Sequence, residues 1–423
     1  MINVIIGIIR GINKSININT MKIKFLALTI AACAMISGAW AQDAAKKDEN
    51  KKEGYQFTTV KANPVTRVKN QASTGTCWCF STISFIESEC IRKGLADTTL
   101  DLSEMFVVSK AYSDKAVKYV RTDGHINFAQ GSDFGDVFDV IDAYGICPNS
   151  EMTGLNYGSD RHSHSELSSV LKAYVDAIVR ASSRKLSTAW HRGFEAVEAA
   201  YLGEIPTSFT VDGKKYTPKE YAAKLDIKGE DYVGLTSFTH HPFYTWFAME
   251  VADNWRNTPS YNLPIDEFMQ VMEDAVMNGY TIAWGSDVSE TGFTRNGIAV
   301  VADVKANEAG SDEARWVGVD PKAKAAALNN LDAPGPELNV TQEMRQEGLD
   351  RKETTDDHGM HIYGIAKDQN GTKYFMVKNS WGTSSKYKGT WYASFPFVKY
   401  KTMNIVVPKA ALSKELRKKM GIN

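Results

Sequence analysis

Residues 71–81 read Gln71-Ala72-Ser73-Thr74-Gly75-Thr76-Cys77-Trp78-Cys79-Phe80-Ser81, and the run continues as Thr82-Ile83-Ser84-Phe85-Ile86-Glu87-Ser88-Glu89-Cys90-Ile91-Arg92-Lys93-Gly94-Leu95. From Cys77 onward the apolar residues Phe80, Ile83, Phe85, Ile86 and Cys90 mark one face of a helix that Gly94 stops. The small residues Ala72 to Thr76 form a loop leading into it. Cys77 therefore opens a helix, where the macrodipole favours a thiolate. Gln71 sits six residues earlier, in the loop that passes alongside. A thiol that attacks an amide near neutral pH needs a base to take its proton and donors for the developing oxyanion. A cysteine and a glutamine placed this way are candidates for two of those parts.

Outward from this run the chain reads as α+β, with helices early and strands late. Asp133 to Tyr144 is a second predicted helix, ended by Gly145 and Pro148. Glu166 to Tyr201 is a long amphipathic helix or a helical pair, and Pro264 to Asn278 is another helix leading to strand-like Tyr280 to Trp284. Met360 to Ala366, Lys373 to Lys378 and Gly389 to Ser394 read as strands, with turns at Asn370-Gly371 and Lys388-Gly389. The stretch 305–357 is polar and is expected to be a long surface excursion.

The chain has 423 residues, 43% hydrophobic and 23% charged, which excludes collagen-like, coiled-coil and disordered classes. Its 49 Lys+Arg against 50 Asp+Glu give no broad attraction for phosphate backbones, so no nucleic-acid partner is expected. Five cysteines are too few for a disulfide scaffold. Cys79 and Cys90 lie about 16 Å apart along a helix axis, beyond disulfide reach. Only a pair with Cys147 is left, and nothing in the sequence selects it.

Far downstream stand His358-Gly359-Met360-His361-Ile362-Tyr363-Gly364 and Lys378-Asn379-Ser380-Trp381-Gly382. With the Cys77 segment, these three stretches, in this order, resemble the nucleophile, histidine and asparagine segments of papain-like cysteine peptidases. His358 lies 281 residues and Asn379 lies 302 residues after Cys77, whereas the ordinary papain spacing is about 130–150. Large insertions must separate the two lobes. That layout, with Tyr144-Gly145-Ile146-Cys147-Pro148, Asn262-Leu263-Pro264-Ile265-Asp266 and Trp284-Gly285-Ser286-Asp287-Val288, is similar to the bleomycin hydrolase and aminopeptidase C branch.

The resemblance implies a two-lobe fold and a peptide or protein substrate, with no cofactor and no metal. Carried over residue by residue, Cys77 would be the nucleophile, and its backbone N–H and the Gln71 side chain would form the oxyanion hole. His358 would be the general base and then the acid. Asn379 would orient the imidazole, with Trp381 shielding it and Trp78 supporting the nucleophile. The resting state would be a thiolate–imidazolium pair. His361, three residues along the same strand, points to the opposite face and is read as structural. Cys79 diverges from Cys77 by about 200° on the helix and is read as a buried apolar residue, against a thiol–disulfide role for Cys77-Trp78-Cys79. His162-Ser163-His164 and His240-His241 have no acidic or cysteine ligand at useful sequence spacing and are read as packing or solvated histidines.

The amino-terminal segment is expected to be an address. Met21-Lys22-Ile23-Lys24, an apolar Phe25 to Ile36 and small residues to Ala41 have the form of a secretory signal, with cleavage before Gln42 and translation starting at Met21. The protein is then exported, periplasmic or secreted; the alternative is a lipoprotein anchored at Cys33. Residues 1–41 carry four basic residues and no acid, so the mature chain has 45 basic against 50 acidic residues, net −5, and no membrane span. The expected organisation is a signal peptide over 1–41, a disordered linker over 42–54, a peptidase domain over 55–412 with insertions at about 155–260 and 305–357, and a tail over 413–423. In the branch with aminopeptidase activity a carboxy-terminal tail enters the cleft. Here it reads as shortened after Val407-Pro408-Lys409-Ala410-Ala411-Leu412, which keeps an open-cleft endopeptidase as the alternative. A non-catalytic binding protein on this scaffold and a homo-oligomer are also left open.

Overall fold

A helix with Cys77 at its first position forms because Thr76 turns the chain there. The Thr76 carbonyl accepts from the N–H groups of Cys79 at 3.0 Å and Phe80 at 3.1 Å, while its side chain makes no cap. The computed structural model describes residues 54–181, 185–303 and 333–422. The expected signal peptide, nearly all of the expected linker and the first part of the 305–357 stretch, 305–332, lie outside the described residues.

From Tyr55 on, the chain is one compact unit. Its first part holds strand β1 (Thr58–Ala62) and helices α1 (Cys77–Arg92), α2 (Glu104–Arg121), α3 (Gly135–Tyr144), α4 (Ser165–Val179) and α5 (Ala189–Leu202). A small hairpin, β2 (Phe209–Val211) with β3 (Lys214–Tyr216), precedes α6 (Pro218–Lys224). Then come β4 (Tyr232–Thr236), β5 (Trp246–Ala248), β6 (Pro259–Asn262), α7 (Ile265–Met277), β7 (Ile282–Ser286) and β8 (Ile298–Ala299). The last part is α8 (Gln342–Asp350), β9 (His358–Lys367), β10 (Lys373–Lys378), β11 (Thr390–Ser394), α9 (Phe395–Lys401), β12 (Thr402–Pro408) and α10 (Lys414–Met420).

Two apolar cores make two lobes. The helical lobe buries Phe80, Phe85, Phe106 and Val137 with Leu171 and Phe194 of α4 and α5. The other buries Trp284, Ile362, Phe375 and Ile405 under one mixed sheet ordered β5-β6-β4-β12-β7-β9-β10-β11-β8. β9 is shared: its first half pairs with β7, its second half with β1, and β10 runs along the other side. Every residue of α1 from Trp78 to Cys90 is buried, because this helix lies between its own lobe and β9. Glycine permits that approach. A Cβ on Gly359 would meet Ser81 Oγ at 2.8 Å and Phe134 at 2.9 Å, so any other residue would push β9 off the nucleophile helix.

The structure departs from one expectation and adds two helices that the sequence reading did not name. The long surface excursion predicted over 305–357 instead includes α8, whose Arg345 is fully buried and bonds the carbonyls of Ser237, Lys399 and Tyr400. The helix Glu104–Arg121, capped by Ser103 Oγ on the Phe106 N–H at 3.0 Å, was not anticipated. The segment read as a tail carries α10, which buries Leu416 and Met420 in the sheet-lobe core. Among the described residues no helix is long and apolar enough to cross a membrane.

Candidate active site

Cys77, His358 and Asn379 come together from three elements. Cys77 is half-buried at the start of α1, His358 begins β9, and Asn379 follows β10. His358 and Cys77 line the same cavity of about 30 Å³, with Trp78, Ser132, Asp133, Phe134, Asp253, Asp356 and Asp357 in its walls. The backbone N–H groups of Gly359 and Trp78 face the cysteine sulfur and favour its ionised form.

Asn379 Oδ1 lies 2.8 Å from His358 Nε2 and also accepts from the Ser380 N–H at 2.7 Å. With Nε2 taken, Nδ1 is the ring nitrogen left for a reacting proton. Trp381 stacks on the imidazole, ring centres 4.7 Å apart and planes at 29°, with its outer face 37% exposed. It covers the His358–Asn379 bond from water and strengthens that bond by lowering the local dielectric. β9 alternates as a strand must: Met360 and Ile362 enter the sheet-lobe core, whereas His361 faces α1, with Nδ1 2.8 Å from Ser84 Oγ. The two histidines thus serve opposite faces.

Gln71 is brought beside Asn379 by backbone pairing of two loops. Its N–H donates to the Ser380 carbonyl at 2.8 Å, and the Gly382 N–H donates to the Lys69 carbonyl at 3.1 Å. Its side-chain oxygen accepts from Ser380 Oγ at 2.5 Å, and Nε2 donates to the Thr74 carbonyl at 2.7 Å. One amide hydrogen is therefore committed to the loop. The neighbouring Ala72 has φ of 51°, a left-handed conformation costing a non-glycine residue about 1–2 kcal/mol. Such strain is held only where surroundings over-determine it. Trp78 is buried, and its indole N–H donates to the Gln130 carbonyl at 3.0 Å, fixing the wall beside Cys77.

Burial pushes the Cys77 thiol up to about 11, and burial pulls His358 down to about 4, against the hydrogen bond that His358 gives to Asn379. Burial by itself works against the charged pair, since both charged forms lose hydration in the cleft. Transfer of the thiol proton to His358 creates opposite charges side by side, which offset each other as substrate arrives. Cys79 is uninvolved: it is fully buried, and its sulfur reaches the Glu104 carbonyl at 3.4 Å, away from Cys77. All four described cysteines, Cys147 included, are free thiols.

The acidic lining was not anticipated. Asp356 is held up to about 7, first by the dry walls of the cleft and then by Asp253, Asp133 and Asp357. Asp356 and Asp357 adjoin His358 in sequence, a proximity that could have flagged them. Asp133 and Asp253 come from distant segments, and only the fold brings them here.

The comparisons agree with this geometry. The family model described as Papain family cysteine protease matches residues 54–200, and that described as Peptidase C1-like family matches residues 337–422. The first span holds Gln71 and Cys77, and the second holds His358 and Asn379. The chain is 22% identical over 399 residues to Aminopeptidase G of Lactobacillus delbrueckii subsp. lactis, covering 83% of each. It is also 22% identical over 401 residues to Aminopeptidase C of Streptococcus thermophilus, covering 82% of this chain and 81% of that one. The crystal structure of PepW from Lactobacillus rhamnosis hn001 (dr20) shares the fold, with a TM-score of 0.63 at 18% identity over 97% of this chain and 96% of that one. With the nucleophile segment in one matched span and the histidine and asparagine segments in the other, the chain belongs to the papain-like cysteine peptidases.

Proposed function

We propose that this peptidase removes residues from the free amino end of peptides, with Cys77, His358 and Asn379 as its triad. The observation that carries the chemistry is the convergence of Cys77 and His358 on one cavity with Asn379 Oδ1 on His358 Nε2. The thiol proton passes to His358 Nδ1 as sulfur attacks the substrate carbonyl carbon. The Cys77 N–H and the second Gln71 amide hydrogen receive the oxyanion. His358 then protonates the leaving amine, and water, giving a proton back to the imidazole, hydrolyses the thioester. Asn379 keeps the ring in the required tautomer throughout.

Two observations support the amino-terminal restriction over the open-cleft alternative. Several relatives spanning most of the chain are named aminopeptidases. In addition, Asp133, Asp253 and Asp356 surround Cys77 with acidic groups that suit an α-ammonium. Losing a desolvated charge pair costs about 2–5 kcal/mol. A short peptide amide with a free amino end is therefore expected to be cleaved about 100-fold faster, in kcat/KM, than its acetylated twin, equivalent to about 2.7 kcal/mol. Equal rates for the two would remove the restriction and restore the endopeptidase reading.

The pH profile follows from the shifts at the pair. The form holding one proton between Cys77 and His358 exists between the His358 value of about 4 and the Cys77 value of about 11. Below the first, the imidazole is already protonated and cannot act as base. Above the second, the shared proton is lost. The expected kcat/KM profile rises through about pH 4 and stays level across neutrality towards its alkaline limb. An acid limb at the ordinary histidine value near 6.5 would show that His358 is not held in the dry environment described.

A further inference from the structure

We propose that His240, His241 and Glu250 form a binding site for a divalent transition metal, with Zn²⁺ as the best-matched ion. The two histidines lie on the connection between β4 and β5, and the fold returns Glu250 to them just after β5. His240 Nε2 is 3.0 Å from Glu250 Oε2, and His241 Nε2 is 2.8 Å from Glu250 Oε1. One ligand atom from each of the three residues lies within 4.8 Å of the others. Tetrahedral zinc with bonds of about 2.0–2.1 Å places its ligand atoms about 3.4 Å apart. The three groups thus need only small side-chain adjustments to share one ion. Two imidazoles and a carboxylate are a donor set that zinc prefers and that calcium or magnesium does not.

The surroundings are those of a supported metal site rather than of loose surface histidines. Gln346 of α8, itself buried, has Oε1 3.3 Å and Nε2 3.2 Å from His240 Nδ1, and the oxygen is the atom that serves a ligating ring. It can take the Nδ1 proton and leave the Nε2 lone pair for a metal, the usual second interaction of a ligating histidine. Gln346 is held in turn by the Thr239 N–H at 2.6 Å and by Asp350 Oδ1 at 2.9 Å. The His241 ring stacks on Phe247 with centres 4.2 Å apart and planes at 22°, which fixes its direction. His240 and Glu250 also line a cavity of about 470 Å³ that reaches Asp356, a residue shared with the wall of the Cys77 cleft. Three protein ligands leave a fourth position for water or a substrate carboxylate. Sequence spacing had argued against this pair for want of an acidic partner, and the fold provides one.

The test uses the full chain carrying Cys77→Ser, so that the catalytic thiol cannot compete for metal, stripped with a chelator. Calorimetric titration with Zn²⁺ is expected to show one ion per chain, and Co²⁺ is expected to give the visible absorption of a tetrahedral site. His241→Ala and Glu250→Gln should each abolish the saturable step. Gln346→Ala should weaken it about 10–100-fold, and circular dichroism should be unchanged in all three variants. Absence of saturable Zn²⁺ uptake would overturn the proposal. Uptake that survives both His241→Ala and Glu250→Gln would also overturn it, because the ion would then be held elsewhere.

Discussion

Replacing His358 with alanine is expected to lower kcat on a peptide substrate by about 10⁴-fold or more, with the melting temperature nearly unchanged. The rate falls because one ring performs two proton transfers, and removal of a triad member in comparable enzymes costs about 10⁴–10⁶. Here the thiol is pushed up to about 11 by burial, so without the imidazole very little thiolate exists at neutral pH. The fold tolerates the loss for a local reason. Asn379 Oδ1, which accepts from His358 Nε2, also accepts from the Ser380 N–H at 2.7 Å, so no orphaned acceptor remains. Moreover, the imidazole is 5% exposed, at the cleft rather than in either core. Residues acting as one unit lose activity non-additively, so Cys77→Ala combined with His358→Ala should be no slower than Cys77→Ala alone. Iodoacetamide labelling of Cys77 at pH 7 should slow in parallel with kcat. A folded His358→Ala enzyme retaining more than about a tenth of the wild-type kcat would remove His358 from the proposed mechanism.

How much of this was legible depended on whether a feature is local in sequence. Cys77 at a helix start, Gln71 six residues before it and Asn379 beside Trp381 are each short-range patterns, and the fold assembles them as read. His361 could be set apart from His358 because strand alternation is also local. The α+β layout was legible for the same reason, and the break between α4 and α5 resolves Glu166 to Tyr201 as a helical pair. What escaped was long-range. β12, the strand between β4 and β7, reads as one more apolar run, and its neighbours in the sheet come from 123 residues away by the pair Val406 to Ala283 and 176 by the pair Pro408 to Tyr232. Glu250 beside His240 and His241 required β5 to fold back, and Asp133, Asp253 and Asp356 meet only once both lobes close. Arg345 reads as a solvated charge until three carbonyls and the rings of Phe238 and Phe268 are found around it.

The second large effect concerns stability, at a charge cluster directly behind the triad. Lys69 Nζ lies 2.6 Å from Glu104 Oε1, 2.7 Å from Asp101 Oδ1 and 3.3 Å from Glu87 Oε1, and donates to the Leu102 carbonyl at 2.9 Å. Thr66 Oγ1 accepts from Lys378 Nζ at 2.9 Å and donates to the far oxygen of Glu87, extending the network to β10. Burial alone would lower the pKa of Lys69, yet the three carboxylates outweigh it and hold the ammonium above the ordinary lysine range. The partners are not equal. Asp101 is 32% exposed and shared with the exposed Arg67, and such pairs contribute about 0–1 kcal/mol. Glu87 and Glu104 are buried, and each needs the cation. Lys69→Met keeps the stem but leaves these two carboxylates together, with Lys378 and the more distant, exposed Arg67 to offset them. Breaking a buried pair in this way costs about 3–5 kcal/mol, and burial already pushes Glu104 up, so one carboxyl would take a proton instead. The expected fall in melting temperature is roughly 5–10 °C for a chain of this size. Removing the stranded charge as well, in Lys69→Met with Glu104→Leu, should recover part of the loss, because replacing both members of a buried pair with apolar groups is often neutral or stabilising. Calorimetric melting of the wild type and three variants closes the cycle. A shift below about 2 °C for Lys69→Met, or strictly additive losses in the double variant, would mean that the cluster is screened and does not hold the lobes together behind Asn379.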